Sequence, residues 1–284
     1  MEAPFALVDA FTPARFGGNP AAVVALRDRA GREKWPPETW MQAVAAKFNL
    51  SETAFLKKSE ASDRAFDLRW FTPTTEVDLC GHATLAAAFA LATDSLPNHS
   101  RAAGTDLVFN TRSGPLPVSS LGDRTWQLDF PADPSQPAEP PAALREGLGA
   151  APANWRRGRE DWMAVFARES EVTALRPDFA RLIQAEDDHG PVRGLIATAP
   201  GDPASGFDFV SRFFAPWSGI PEDPVTGSAH CTLAPYWARK LGKAQLTARQ
   251  ISARGGVLQV EDRGERVLIA GQCVLVARGQ LEAN

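Results

Sequence analysis

The feature that most constrains the fold is a pattern the chain carries twice. Arg69-Trp70-Phe71-Thr72-Pro73 lead through Asp78 to Gly81-His82-Ala83 and an apolar run. Arg212-Phe213-Phe214-Ala215-Pro216 lead through Asp223 to Gly227-Ser228-Ala229 and a second helix-like run. The second copy is three residues longer between proline and glycine. Each reads as strand, turn, acidic residue, glycine, helix, so the duplication implies two related lobes. It also implies two helix N-termini, and a pair of these facing one cleft would hold an anion such as a substrate carboxylate.

At 284 residues the chain is long enough for one large or two medium domains, each with its own core. Apolar content of 44% and charged content of 23% are ordinary for a globular protein. A net charge of −4 argues against non-specific nucleic-acid binding. The basic cluster Arg156-Arg157-Gly158-Arg159 is interrupted by Glu160 and Asp161 and reads as a solvated loop. Met1-Glu2-Ala3-Pro4 does not start a secretory signal, and the longest apolar run, Leu85 to Ala92, is far too short to span a bilayer. Three widely spaced cysteines do not describe a disulfide framework. A reduced, cytoplasmic location is expected, with no membrane or nucleic-acid partner.

Apolar alternation places strands near 5–11, 21–26, 53–57, 65–71, 106–110, 115–119 and 126–130. A helix is expected over about 37–48, ended by Asn49. Residues 83–92 hold one polar side chain, Thr84, and a helix apolar on all sides must be buried on all sides. Five prolines between Pro131 and Pro141 mark an extended connector and a lobe boundary. The expected division is a first lobe over 1–130 around helix 83–92 and a second over 131–284 around helix 228–241. The last strand is able to return to the first lobe. In the second lobe a short helix is expected near 142–147. Strands follow near 162–168, 194–199, 207–214, 257–261, 266–270 and 272–277, and Pro235 should kink the helix that contains it. The resulting class is α+β: two pseudo-symmetric, strand-rich lobes, each around a central helix. No glycine-rich nucleotide fingerprint occurs, so no nucleotide cofactor is indicated.

Among residues able to carry chemistry, Glu52 stands out. It lies in Leu50-Ser51-Glu52-Thr53-Ala54-Phe55-Leu56, between a helix end and a strand. If the strand pleat already applies, it shares a face with Ala54 and Leu56, where burial would raise its pKa and let it pass protons near neutral pH. The bland alternative is a loop glutamate in solvent. Asp78 reads as turn chemistry. Pro224 restricts Asp223 to extended geometry, which suits an orienting role. Ser228 reads as an N-cap whose neighbouring N–H groups can serve a ligand, and His82 as a donor or second acid/base. Cys80 and Thr226 immediately precede the two glycines. Cys80 is either a base or nucleophile activated by the helix terminus or a small buried hydrophobe. Neither Cys80-x-His82 nor His230-Cys231 has structural-zinc spacing, so no metal is expected. His99 and His189 sit in polar loops and carry no signal.

Taken together these segments resemble the phenazine-biosynthesis PhzF-like family, which shares the fold of diaminopimelate epimerase. The resemblance is carried by Val8-Asp9-Ala10-Phe11, Gly18-Asn19-Pro20-Ala21-Ala22-Val23 and Leu50-Ser51-Glu52-Thr53-Ala54-Phe55. It continues through Phe71-Thr72-Pro73, Gly81-His82-Ala83-Thr84, Glu222-Asp223-Pro224-Val225-Thr226-Gly227-Ser228-Ala229 and Gln250 to Gly256. It implies strand-rich barrels around central helices, a site in the cleft between lobes, a homodimer, and cofactor-free isomerisation. By resemblance, Glu52 moves a proton within a small carboxylic acid like trans-2,3-dihydro-3-hydroxyanthranilate, assisted by His82, Asp223 and Ser228. The backbone at Gly81 and Gly227 helps hold the ligand, with Asn19, Cys80 and Thr226 as further contacts. One departure matters: the epimerase relatives carry cysteine before both glycines, whereas this chain has Cys80 and Thr226. A racemase or epimerase using Cys80, or a catalytically silent member that binds a metabolite or protein, are the alternatives.

Overall fold

A computed structural model describes residues 2–26, 34–60, 62, 64–93, 95–96, 106–187 and 192–282; His99 and His189 lie outside them. The first stretch carries β1 (Glu2–Ala10), β2 (Asn19–Ala25), α1 (Glu38–Phe48), β3 (Glu52–Lys58), β4 (Ala65–Phe71) and β5 (Glu76–Val77). It continues with α2 (Gly81–Ala92), β6 (Leu107–Thr111), β7 (Gly114–Gly122) and β8 (Thr125–Pro131). The middle carries β9 (Gln136–Pro137), α3 (Ala142–Leu148), β10 (Asn154–Arg157), β11 (Asp161–Val165), α4 (Glu169–Ala174) and α5 (Phe179–Leu182). There follow β12 (Gly194–Pro200), β13 (Phe209–Ala215), β14 (Ile220–Asp223), α6 (Gly227–Leu241), β15 (Gln245–Gln250), β16 (Gly256–Asp262) and β17 (Arg266–Glu282). Two compact units result: 1–129 with 270–284, and 130–269.

In the first unit the strands β17, β1, β2, β3, β4, β6, β7 and β8 pair in that order, and β8 pairs again with β17. The ladder therefore closes into a barrel, which removes exposed strand edges. Its interior takes α2, whose residues Gly81 to Leu91 are all buried. Ala83, Ala86, Ala87, Ala88 and Ala90 explain the fit: small side chains let a helix pass where bulkier ones would overpack. On the outer face α1 packs Met41 and Ala45 against Val24, Phe55 and Phe71. Strands β2 and β3 are thus covered on both faces, which is why they read as nearly continuous apolar runs. Asn49 ends α1 in a left-handed conformation, φ 51°.

In the second unit β9, β10, β11, β12, β13, β15 and β16 form one ladder, with β14 also paired to β13. The short helices α3, α4 and α5 contribute Leu144, Leu148, Val172 and Leu182 to a cluster with Trp162, Leu195 and Phe214. The expected α+β, strand-rich architecture is the one observed.

Four expectations need correction. Pro235 lies inside α6 without ending it. A proline cannot bond to the carbonyl four residues earlier, and here the Asp133 N–H donates to that Cys231 carbonyl at 3.0 Å. The strands expected at 266–270 and 272–277 are one continuous strand, β17. Gly271 looks like a break in sequence, yet it is needed because a Cβ there would sit 2.3 Å from the Phe11 ring. Arg156 and Arg157 are not a solvated loop but lie on β10. Arg157 pairs with Asp187 at 2.8 Å, with side chains only 9% and 2% exposed. Finally, α6 begins at Gly227 with Thr226 as N-cap, so Ser228 is the helix's second residue and not its cap. Among the described residues no helix is long and apolar enough to cross a membrane.

Candidate active site

The duplicated motif builds the same local scaffold twice. Arg69 forks onto both carboxylate oxygens of Glu76, at 2.6 and 2.5 Å, with its guanidinium over the Phe71 ring. Arg212 forks onto Glu222, at 2.8 Å to each oxygen, over Phe214. Planar bidentate geometry explains why the repeated residue is arginine. Strand register then shows which acidic residue is truly repeated. Trp70 pairs with Val77, and Phe213, its counterpart, pairs with Asp223. Glu76 and Glu222 are the matched pair, while Asp223 stands where the first copy has Val77. Asp78 is 73% exposed beside Arg112, in keeping with the turn reading.

The helix ends that follow are chemically unlike. At the start of α2, Glu52 opens β3 and pairs in parallel with Ala21 of β2. That register brings it beside Pro20 and the buried Asn19. Its side chain is 17% exposed, so it is not a solvated loop glutamate, and Oε2 lies 3.3 Å from Nε2 of His82. His82 is itself buried, and its Nδ1 lies 3.5 Å from the Cys80 sulfur. Burial pushes the imidazole down to about 3, against a hydrogen bond to the Pro20 backbone that acts the other way. His82 is therefore neutral at physiological pH. A neutral ring has one donor and one acceptor, yet three polar neighbours surround it: Glu52, Cys80 and Pro20. An imidazolium here would hold Glu52 as an ion pair and make it a poor base. The neutral ring leaves the carboxylate able to take a proton.

At the start of α6 the polar groups are tied together. The Thr226 hydroxyl donates to the Asp223 carboxylate, so it cannot cap its own helix. Buried Gln250 accepts from the Thr226 N–H at 2.9 Å and donates to the Asp223 carbonyl at 2.8 Å. The Ser228 hydroxyl accepts from Arg193 at 2.8 Å. One turn on, His230 is fully buried, and its Nδ1 lies 2.8 Å from the Thr226 carbonyl. Burial lowers it to about 4, so it too is neutral and carries a structural bond. Cys231 is pushed up to about 12, chiefly by burial, and stays a thiol.

Neither helix is capped by its N-cap side chain. The first-turn N–H groups at Gly81 and Gly227, which have no partner within a helix, are therefore oriented as ligand donors. The atoms of Glu52, Cys80 and His82 lie within 4.8 Å of one another, a spacing that three ligands of one cation also adopt. Sequence reasoning reached Glu52, His82, Cys80, Asp223, Thr226 and Ser228. It missed Arg193 and Asp161, whose partners are far apart in sequence and leave no local motif.

Comparison with known proteins gives a consistent family. The family model for phenazine biosynthesis-like proteins matches residues 8–279. A Pseudomonas aeruginosa protein named as an uncharacterized isomerase is 46% identical over 281 residues, covering 99% of each chain. The crystal structure of a PhzF-family phenazine biosynthesis protein from Enterococcus faecalis is similar with a TM-score of 0.87. It is 41% identical and covers 100% of both chains. A hydroxyproline epimerase from Agrobacterium vitis, solved with trans-4-hydroxy-L-proline, shares the fold at TM-score 0.60 and 13% identity. That match covers 99% of this chain and 92% of the epimerase.

Proposed function

The chain belongs to the phenazine biosynthesis-like family and is an isomerase of that family, and from this premise we propose how it works. It moves a proton within a small carboxylic acid of the trans-2,3-dihydro-3-hydroxyanthranilate type, with Glu52 as the group that carries the proton. The observation that supports this most is the Glu52 carboxylate 3.3 Å from a buried, neutral His82. Glu52 takes a proton from a substrate carbon and becomes a carboxylic acid. The electron pair left behind moves into the adjacent double bond, and Glu52 returns the proton to another carbon of the same system. One proton leaves and one is returned, so the step is redox-neutral and calls for no cofactor. Asp223 and Ser228 stay in the proposal as assisting groups, with the backbone at Gly81 and Gly227, and with Asn19, as ligand contacts.

Incubation with trans-2,3-dihydro-3-hydroxyanthranilate in deuterated water tests the role of Glu52. Isomerisation with deuterium incorporation is expected from the natural protein and not from Glu52→Gln; equal turnover in that variant removes Glu52 from the role. A second reading rests on the Cys80 sulfur 3.5 Å from His82 Nδ1, which suits a racemase using the thiol. Full turnover in Cys80→Ala eliminates it. A cytoplasmic homodimer completes the proposal, and a monomer by sedimentation velocity at micromolar concentration would remove that part.

A further inference from the structure

Ser228 is placed among the assisting groups above, yet nothing in its own sequence neighbourhood says how its hydroxyl is aimed. The answer lies on the loop before β12. Arg193 donates through Nη1 to the Ser228 oxygen at 2.8 Å, while Nε lies 3.1 Å from one oxygen of Asp161 and Nη2 bonds to the other. Asp161 is 1% exposed and opens β11, in register with Gly194. The guanidinium also lies over the Phe213 ring, 5.5 Å from its centre. Gly194 permits this packing, because a Cβ there would fall 2.1 Å from that ring and 3.0 Å from Asp161 Oδ1. The Arg193 backbone N–H is held in turn by the Glu160 carbonyl at 3.1 Å. The side chain is thus fixed by a carboxylate fork, an aromatic face and its own backbone.

Two consequences follow from the chemistry of a guanidinium. It has donors and no acceptor, so in this contact the Ser228 oxygen must be the acceptor. The hydroxyl's own proton is then directed to a different partner, and a charged donor on the oxygen strengthens that donation. In addition, the Arg193 charge is met by Asp161 and by Glu160, which lies 3.3 Å from Nε. A cation so compensated is poorly suited to anchor an anion by itself. Its effect has to pass through the serine.

We propose that Arg193 is a positioning residue that sets the Ser228 hydroxyl as a hydrogen-bond donor to the substrate's carboxylate. This rests on the isomerase reading above only in taking a small carboxylic acid as the ligand. Removing Arg193 alone would leave Asp161 buried and unpaired, which risks unfolding. The test therefore uses Asp161→Asn with Arg193→Gln, Ser228→Ala, all three changes together, and Arg193→Lys. Each full-length variant is measured for anthranilate affinity by calorimetry. Each is also measured for KM and kcat with trans-2,3-dihydro-3-hydroxyanthranilate, alongside Glu52→Gln.

The double variant and Ser228→Ala should each weaken anthranilate binding and raise KM by about 10- to 100-fold, the effect of one charge-assisted hydrogen bond, with kcat changed less. The triple variant should be no weaker than Ser228→Ala, and Arg193→Lys should recover part of the loss. Multiplying losses in the triple variant would overturn the inference, since Arg193 would then act independently of Ser228. So would unchanged affinity in the double variant, or absence of anthranilate binding to the natural protein. Retained turnover in Glu52→Gln would instead sink the proton-carrier reading and leave the affinity comparison standing.

Discussion

The starts of α2 and α6 grow from the same motif and end in opposite chemical states. Both follow a strand whose arginine forks onto a glutamate and lies over a phenylalanine, and both follow a glycine turn. Beyond that scaffold, the α2 end gathers a carboxylate, a thiol and a neutral imidazole around one movable proton. At the α6 end, Thr226, Asp223, Gln250, Ser228 and Arg193 bind one another in a closed set of hydrogen bonds. Duplication supplied two equal frames. Divergence left one suited to moving a proton and the other to holding a shape.

The largest effect that would break this contrast is catalytic. Glu52→Gln should lower turnover by about 10²- to 10⁴-fold, the usual range for a lost acid/base group, with melting temperature nearly unchanged. A comparable loss from a change confined to the α6 end would contradict the division. Next comes stability. Gln250→Leu leaves the Thr226 N–H and the Asp223 carbonyl without their partner and should cost about 1–3 kcal/mol in urea unfolding.

A smaller effect separates the two ends by pH. Both His82 and His230 have folded values below the ordinary 6.5, so the unfolded chain binds protons more readily than the folded one. The stability they contribute is complete above about pH 6.5 and is lost as pH falls toward about 4 for His230 and about 3 for His82. Urea midpoints between pH 7 and 4.5 should therefore fall, and His82→Gln should flatten that fall; an unchanged slope would mean that His82 is not buried neutral. The smallest effect is expected from Cys80→Ala. Turnover should drop less than about tenfold, under about 1.4 kcal/mol of barrier, if the thiol only packs beside His82.

Much of this contrast was readable in sequence because its signals are local. An apolar run with Thr84 as its one polar residue says that α2 is buried all round, and the repeated arginine announces two related frames. Glu52 was legible as a carboxylate at a strand start, although its burial depends on β2 lying alongside. What escaped depends on pairing over distance. Arg193 matters through Asp161 and Ser228, more than thirty residues away on either side. Asp78 and Asp223 look equivalent by order, and only register shows that Val77 matches Asp223. Arg156 and Arg157 looked solvated because their partners, Ser135 and Asp187, lie outside the cluster.

Strand β17 has a further consequence, for the order in which the protein is made. Residues 130–269 form a contiguous unit, whereas the first unit needs 270–284 to finish its barrel. Until that segment leaves the ribosome, β1 has no partner on one side and β8 cannot close the ring. The half synthesised first is therefore completed last. Its proton-moving end, with α2 still unenclosed, waits on the final strand, while the hydrogen-bonded end at α6 can already be in place.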